Sequence, residues 1–225
     1  MDYELQLYDQ LLQFPLFQGM SRDNLAQIAG HTKFGFMKCK SGQTLIRQDD
    51  PCQQLYFLLS GTLIAETCSD DHSYMVTEQL TAPYMLQPEA LAGYTQRFTH
   101  TFKSLTATNF ITIDKSEVTR LSDEFLVFRL NLVNTYATMA QKQQRLLWRH
   151  YPETLAERIV RFLADRCLYP AGTKTFHILM AHLANEVGHS RLDVSHALNQ
   201  LQREGLLILK RGRIEVPQME RLIKS

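Results

Sequence analysis

The feature that most constrains the fold is a run of mostly apolar residues spaced alternately four and three apart. It comprises Leu126, Leu130, Val133, Ala137, Ala140, Gln144 and Leu147, which we call the seam. This spacing is the a/d pattern of a helix that packs against another helix. A second apolar stripe of the same stretch contains Phe125, Phe128, Leu132 and Met139. A helix with two apolar stripes must bury both, so each stripe needs a packing partner.

The simplest pair of partners is the chain's own β domain for one stripe and a second copy of the helix for the seam. We therefore predict a two-fold homodimer. The alternative is a helix that is wholly buried within a monomer. The helical pattern runs from Ser116 to about His150, and it is predicted to stop there because Pro152 is disfavoured inside a helix.

The sequence before this helix changes from helical to strand periodicity near Thr32. Short helices are predicted between Leu5 and Ala29, with Ser21 as the cap of the second. Segments rich in β-branched and aromatic residues then alternate with turn residues, such as those at Ser41-Gly42. This pattern predicts an antiparallel barrel or sandwich of roughly eight strands.

The sequence after the long helix predicts a helix–turn–helix followed by a β-hairpin. Helices are predicted over 153–168, 180–186 and 191–204, and the hairpin turns at Arg211-Gly212. Gly188 supplies the turn between the last two helices, and Ser190 stands at the N-cap position. The last helix has one apolar side, formed by Val194, Leu198 and Leu201 at intervals of four and three.

The opposite side of that helix and the hairpin tip have the chemistry of a DNA-binding surface. Arg191 can contact guanine O6 and N7 through its guanidinium, and a helix N-terminus favours phosphate. Cations at the hairpin tip can contact the minor groove or the phosphates. From Tyr151 onward the chain has eleven Lys and Arg against eight Asp and Glu, a balance that favours nucleic acid. The predicted DNA-binding residues are Ser190, Arg191, Leu192, Ser195, His196, Asn199, Lys210, Arg211 and Arg213.

Several phrases resemble the Crp–Fnr family of bacterial transcription regulators. They are "GQTLIRQ", "LYFLLSG", "LAERIVRFLA" and "VGHSRLDVSHALNQLQREGLL", and the resemblance covers nearly the whole chain. It implies an α+β protein with an N-terminal antiparallel β-roll (a cupin-like double-stranded barrel), a long dimerisation helix and a C-terminal winged helix–turn–helix. The implied domains are 1–115 with the N-terminal helices and the effector-binding roll, 116–150 with the dimerisation helix, and 151–225 with the DNA-binding domain.

The resemblance also implies partners and base-contacting positions. The partners are double-stranded DNA with a two-fold symmetric site, a second copy of the chain and, for an activator, RNA polymerase. Arg191 and His196 match base-contacting positions, and Ser190 matches a phosphate contact. Leu192 departs from the family, where many members have Glu. Leu cannot accept a hydrogen bond from cytosine N4 but can pack on a thymine methyl, so the preferred half-site is expected to differ.

The segment that matches the family's cyclic-nucleotide phosphate site also departs from the pattern. Glu89 stays in register, whereas Pro88 replaces Gly and has no N–H to offer a phosphate. Phe98 replaces the phosphate-binding Arg, and Arg97 lies one place early, which on a strand sends it to the other face. We therefore predict that the effector is an unidentified small molecule other than cyclic AMP, or that none is needed.

The sequence offers candidate residues for an effector pocket between the roll and the long helix. Arg97 and Lys103 would favour an anionic ligand, while the alternative is that such polar residues are simply solvated. The candidate lining is Glu89, Tyr94, Arg97, Thr99, Lys103, Gln143 and Gln144, with Tyr84 and Met85 beside it.

Other function classes lack their residue patterns. No catalytic constellation appears, so an enzyme is not predicted, and neither a metal nor another cofactor is predicted. The cysteines show no C-x-x-C spacing and no iron–sulfur pattern, and His31 or His72 would be a lone haem ligand. With no signal peptide and no apolar run of membrane length, a cytoplasmic protein without membrane contact is expected. The alternative function is a small-molecule sensor that acts through protein partners and has a non-functional winged helix.

Overall fold

The structure is a computed structural model that describes residues 2–224, with side chains from Leu7 onward. The backbone clusters into two compact units. The first takes in the chain up to Leu63, together with Leu80–Thr99 and Lys103–Trp148. The second takes in Ile64–Gln79, His100–Phe102 and the chain from Arg149. The domain boundaries at 115 and 150 stay predictions, although the segment Ile64–Gln79 groups with the C-terminal part.

The first unit begins with two helices, α1 (Asp2–Leu11) and α2 (Arg22–His31), on either side of a short 3₁₀ turn at Pro15–Phe17. Ser21 caps α2 as predicted, because its Oγ accepts the Asn24 N–H at 3.1 Å. The cap satisfies one of the backbone donors that a helix N-terminus leaves without an intrahelical partner.

Eight strands lie between Phe34 and Asp114, as the turn spacing predicted. They are β1 (Phe34–Cys39), β2 (Thr44–Ile46), β3 (Gln54–Ser60), β4 (Thr62–Cys68), β5 (Tyr74–Thr81), β6 (Tyr84–Leu86), β7 (Thr101–Ser104) and β8 (Thr108–Asp114). Four of them, β1, β8, β3 and β6, form one antiparallel sheet in that order. Core residues pair across β3 and β8, with Leu55 opposite Ile113 and Phe57 opposite Ile111, all fully buried.

The helical stretch after β8 is two helices, α3 (Lys115–Glu124) and α4 (Leu126–Leu147), instead of one. Phe125 interrupts it with extended backbone (φ −119°, ψ 104°) and a buried ring. The apolar periodicity continues across the break, so the sequence pattern alone did not reveal it. The predicted continuous helix over 116–150 is therefore corrected to a break at Phe125 and an end at Leu147.

The second unit contains the C-terminal elements and part of the β4–β5 hairpin. The C-terminal elements are α5 (Leu155–Asp165), β9 (Lys174–Ile178), α6 (Met180–Val187), α7 (Arg191–Arg203), β10 (Ile208–Lys210), β11 (Arg213–Val216) and α8 (Met219–Leu222). The sheet of this unit has the antiparallel order β10-β11-β9-β5, with β4 beside β5. The hairpin predicted at Arg211-Gly212 is β10 and β11, whereas β9 was not predicted.

One buried apolar cluster holds this unit together. It joins Ile159, Phe162 and Leu163 of α5 to the inward faces of α6 and α7 and to the sheet. Val76 of β5 belongs to the same cluster. Between Asp2 and Lys224, none of the helices combines the length and the hydropathy that crossing a membrane requires.

Candidate nucleic-acid interface

The turn between α6 and α7 is built by local backbone chemistry. Gly188 ends α6 in the left-handed region (φ +69°), where a residue without Cβ avoids strain. The N–H of His189 then donates to Ala184 O at 3.0 Å, which closes the helix end. These contacts turn the chain within three residues, so α7 can start at Arg191.

Helix α7 is fixed by its cap and by its apolar side. Ser190 Oγ accepts the Asp193 N–H at 3.2 Å and donates to Asp193 Oδ2 at 2.6 Å, so the predicted N-cap is present. Val194, Leu198 and Leu201 are buried on the side of the helix that packs into the apolar cluster. Because one side of α7 is buried and its first turn is capped, the orientation of its exposed face is fixed.

The outer face of α7 carries the predicted base-contacting residues. Arg191, Leu192, His196 and Asn199 are exposed and Ser195 is half-buried. Asn199 Nδ2 donates to Ser195 O at 2.8 Å, with Ser195 Oγ 3.4 Å away, so these two polar side chains are partly engaged with each other. Within residues 7–224, Arg191 and His196 have no side-chain hydrogen bond or ion pair, which leaves their donors for an external partner.

We call the β10–β11 hairpin the wing. Its tip holds the three predicted cations, but the structure adds an acidic residue that sequence reasoning missed. Glu215 binds Lys210 Nζ at 2.7 Å through Oε2 and Arg213 Nε at 3.0 Å through Oε1. The hydrogen bond from Lys210 and the charges of Lys210 and Arg213 hold the pKa of Glu215 below its ordinary value. Arg211 is exposed and has no such partner among residues 7–224.

The signal for Glu215 was present in the sequence. It stands two residues after Arg213, so both side chains project from the same face of β11. In the register of the wing, Lys210 lies opposite Arg213, so the side chain of Lys210 approaches the same carboxylate. The wing therefore presents its cations partly neutralised.

The predicted effector-pocket residues are not all brought together. Glu89 and Thr99 meet through Gln87, whose Nε2 donates to Thr99 Oγ1 at 2.6 Å and lies 3.4 Å from Glu89 Oε1. Gln87 Oε1 also accepts the Thr99 N–H at 3.1 Å. The buried side-chain amide of Gln87 thus hydrogen-bonds to polar groups of Glu89 and Thr99 that a ligand would otherwise contact.

The other residues predicted to line the effector pocket do not join this hydrogen-bonded group. Arg97 is exposed and donates from Nη1 to Asp49 O at 2.6 Å, while Phe98 is buried beside Tyr56. Tyr94 is fully exposed, Lys103 is half-buried on β7, and Gln143 and Gln144 are exposed on α4.

The two apolar stripes of the long helical segment have different surroundings. Phe128 is fully buried, with its ring 5.5 Å from that of Phe17. Every seam residue is exposed, and the large ones keep between 56% and 81% of their surface accessible: Leu126, Leu130, Val133 and Leu147. In the second stripe Phe125 and Phe128 are buried and Leu132 and Met139 are half-buried, whereas the whole seam is exposed.

Comparisons with known families match both parts of the chain. The Cyclic nucleotide-binding domain family matches residues 36–125, and the Crp-like helix-turn-helix domain family matches residues 157–225. Among curated proteins, no match to the chain was found.

Solved structures share the fold at low sequence identity. The Catabolite Activator Protein of Thermus thermophilus is 20% identical with a TM-score of 0.53, covering 94% of this chain and 99% of that one. A protein from Eubacterium rectale, described as a transcriptional regulator of the crp/fnr family, is 21% identical with a TM-score of 0.54, covering 95% and 99%. The sensor domain of the transcriptional regulator DNR from Pseudomonas aeruginosa is 14% identical with a TM-score of 0.55, covering 68% and 99%.

These matches agree with the architecture described above: an antiparallel β domain, a long helix, and a winged helix–turn–helix with a capped, outward-facing second helix. The chain belongs to the Crp–Fnr family of transcription regulators.

Proposed function

We propose that this chain is a homodimeric, sequence-specific DNA-binding transcription regulator whose helix α7 enters the major groove. The observation that carries the proposal is the outer face of α7. Its apolar side is buried, its N-terminus is capped, and Arg191 and His196 point outward with unused donors. Such a helix matches the width and the donor–acceptor pattern of a major groove.

The homodimer is proposed from the exposed seam. Two copies of α4 packed through it would bury the leucines and Val133 that a monomer leaves in water, at a gain of about 25 cal/mol per Å² of apolar surface. A two-fold dimer would then place two copies of α7 on half-sites about one helical turn of DNA apart.

We further propose that the effector is a small molecule other than cyclic AMP, or that the regulator needs none. Pro88 has no N–H for a phosphate, and the Thr99 N–H is already bonded to Gln87. Phe98 is buried and uncharged, so the position that matches the family's phosphate-binding arginine supplies no cation, and Arg97 beside it donates to Asp49 O. For a regulator that activates transcription, RNA polymerase is the further proposed partner, and no enzymatic activity is proposed.

DNA binding is tested by selecting an operator from random double-stranded DNA and measuring its dissociation constant. We expect Arg191→Ala to weaken binding by about 1–3 kcal/mol and to relax the preference at one base pair. Arg221→Ala, an exposed arginine on α8, is the matched control and is expected to leave the operator preference unchanged. Equal affinity for the operator and for random DNA would contradict the proposal and favour a sensor acting through protein partners.

The dimer is tested on the full chain by sedimentation. Leu130→Glu places a charge at an a position of the seam and is expected to give a monomer, because burying an unpaired charge at a helix interface is costly. Lys142→Glu changes an exposed residue on the opposite side of α4, at an f position of the same heptads, and is expected to leave the dimer intact. A wild-type chain that sediments as a monomer would refute this part.

A further inference from the structure

Leu192 is an apolar residue in the middle of a polar surface. It lies in the first turn of α7 and keeps 66% of its surface accessible. At about 100° per residue, it projects roughly 180° from Leu201 and roughly 200° from Val194, the buried side of the helix. Its exposure is therefore a consequence of helical geometry and does not arise from a frayed end.

The neighbours of Leu192 define what it can contact. His196 and Ser195 are four and three residues further along, so they lie on the same strip of the helix. Arg191, immediately before it, projects about 100° around the axis, toward the edge of that strip. Ser195 and Asn199 are engaged with each other. Leu192 is thus the apolar contact point of a strip whose free polar groups are those of Arg191 and His196.

We infer that Leu192 is a specificity-determining residue that packs on the C5-methyl group of a thymine in each half-site. Each base pair displays a distinct pattern in the major groove, and the thymine methyl is its one apolar element. A large apolar side chain brought into the groove would otherwise face donors and acceptors that it cannot satisfy. The inference rests on the proposed function, since it assumes that α7 enters the groove.

The test removes only the methyl group from the DNA. An operator selected from random DNA by the wild-type chain is resynthesised with deoxyuridine in place of each thymine in turn. Base pairing is unchanged, so a loss of affinity reports the methyl contact alone. We expect one thymine per half-site to weaken binding about fourfold when replaced, and about fifteenfold when both half-sites are changed, as for one buried methyl group each.

The variants assign that loss to Leu192. With Leu192→Ala, thymine and deoxyuridine operators are expected to bind equally. Ile223→Ala, which shortens another exposed apolar side chain of the second unit, is expected to retain the wild-type preference for thymine. Because Leu192 is exposed, its substitution leaves the buried cluster unchanged, and circular dichroism of each variant verifies the fold.

The outcomes separate this inference from the proposed function. Selection that enriches no operator would overturn both. An enriched operator whose affinity is indifferent to every deoxyuridine would overturn the role of Leu192 and leave the DNA-binding function standing. A sensitive thymine that stays equally sensitive in Leu192→Ala would assign the methyl contact to another residue.

Discussion

The ion pair between Glu78 and Lys174 allows a sharp test of how the second unit is held together. The two residues are direct partners in the β5–β9 register, and each side chain keeps only 1% of its surface accessible. Lys174 Nζ lies 2.7 Å from Glu78 Oε2, and Glu78 Oε1 accepts the Leu168 N–H at 2.7 Å. Within residues 7–224, neither Lys174 Nζ nor Glu78 Oε2 makes a conventional hydrogen bond besides this ion pair.

Removing one charge of this pair is expected to destabilise the unit strongly. Glu78→Gln keeps an acceptor for the Leu168 N–H but leaves the ammonium of Lys174 buried without a counter-charge. Breaking a buried pair in this way costs about 3–5 kcal/mol. The double variant Glu78→Gln with Lys174→Met removes both charges and keeps the volume, so it is expected to recover most of that loss.

Amide hydrogen exchange of the β9 backbone measures the effect where it arises. A loss of 3–5 kcal/mol in the opening free energy corresponds to exchange that is faster by roughly a hundredfold to a few thousandfold. Glu186→Gln is the matched control: its partner Arg166 lies 3.0 Å away in a half-exposed pair, and such pairs contribute about 0–1 kcal/mol. The reasoning is refuted if Glu78→Gln behaves like this control, or if the double variant exchanges as fast as the single one.

Further predictions concern the wing and the half-buried thiol of Cys167. Glu215→Gln releases Lys210 and Arg213, so DNA affinity is expected to rise and the slope of log affinity against log salt concentration to steepen by about 1–2. Fluorescence anisotropy measures both quantities, with Glu204→Gln as the control. An unchanged slope would contradict this prediction. Burial, with a smaller contribution from Glu78, raises the pKa of Cys167 to about 12. Mass spectrometry is therefore expected to find Cys167 unalkylated by iodoacetamide at pH 8.5 in the folded chain and modified after unfolding; modification in the folded chain would contradict it. Because its pKa is raised, the thiol's contribution to folding is full below pH 9 and is lost as pH rises from 9 to 12.

The helix–turn–helix was predictable because its signals are local. The turn at Gly188, the cap at Ser190 and the apolar spacing of α7 all act within a few residues of the backbone they shape. The eight-strand β domain was predictable for a similar reason, since turn residues mark the ends of short alternating segments. These features needed no knowledge of which segments meet in space.

The break at Phe125 and the strand β9 were not predictable in the same way. Helical periodicity continues through Phe125, and only the fit of its ring into the core distinguishes an extended residue from a helical one. Strand β9 is five residues long and contains a buried lysine, which in a sequence indicates a solvated position. The strand that carries its counter-charge, β5, lies nearly a hundred residues earlier, so local sequence patterns do not reveal why this lysine can be buried.

That non-local pairing changes what counts as the DNA-binding unit. Val76 of β5 is buried in the same cluster as Val194 and Leu198, the residues that fix the orientation of α7. The hairpin strand supplies backbone partners for β9 from Tyr74 to Glu78, and Glu78 supplies the charge that keeps Lys174 buried. A segment cut at residue 151 would contain every side chain of α7 that is proposed to contact bases, yet it would lack part of the core and sheet that hold this helix. Local sequence pattern is thus sufficient to find the surface proposed to bind DNA, whereas the packing that holds this surface in place includes a strand from the middle of the chain.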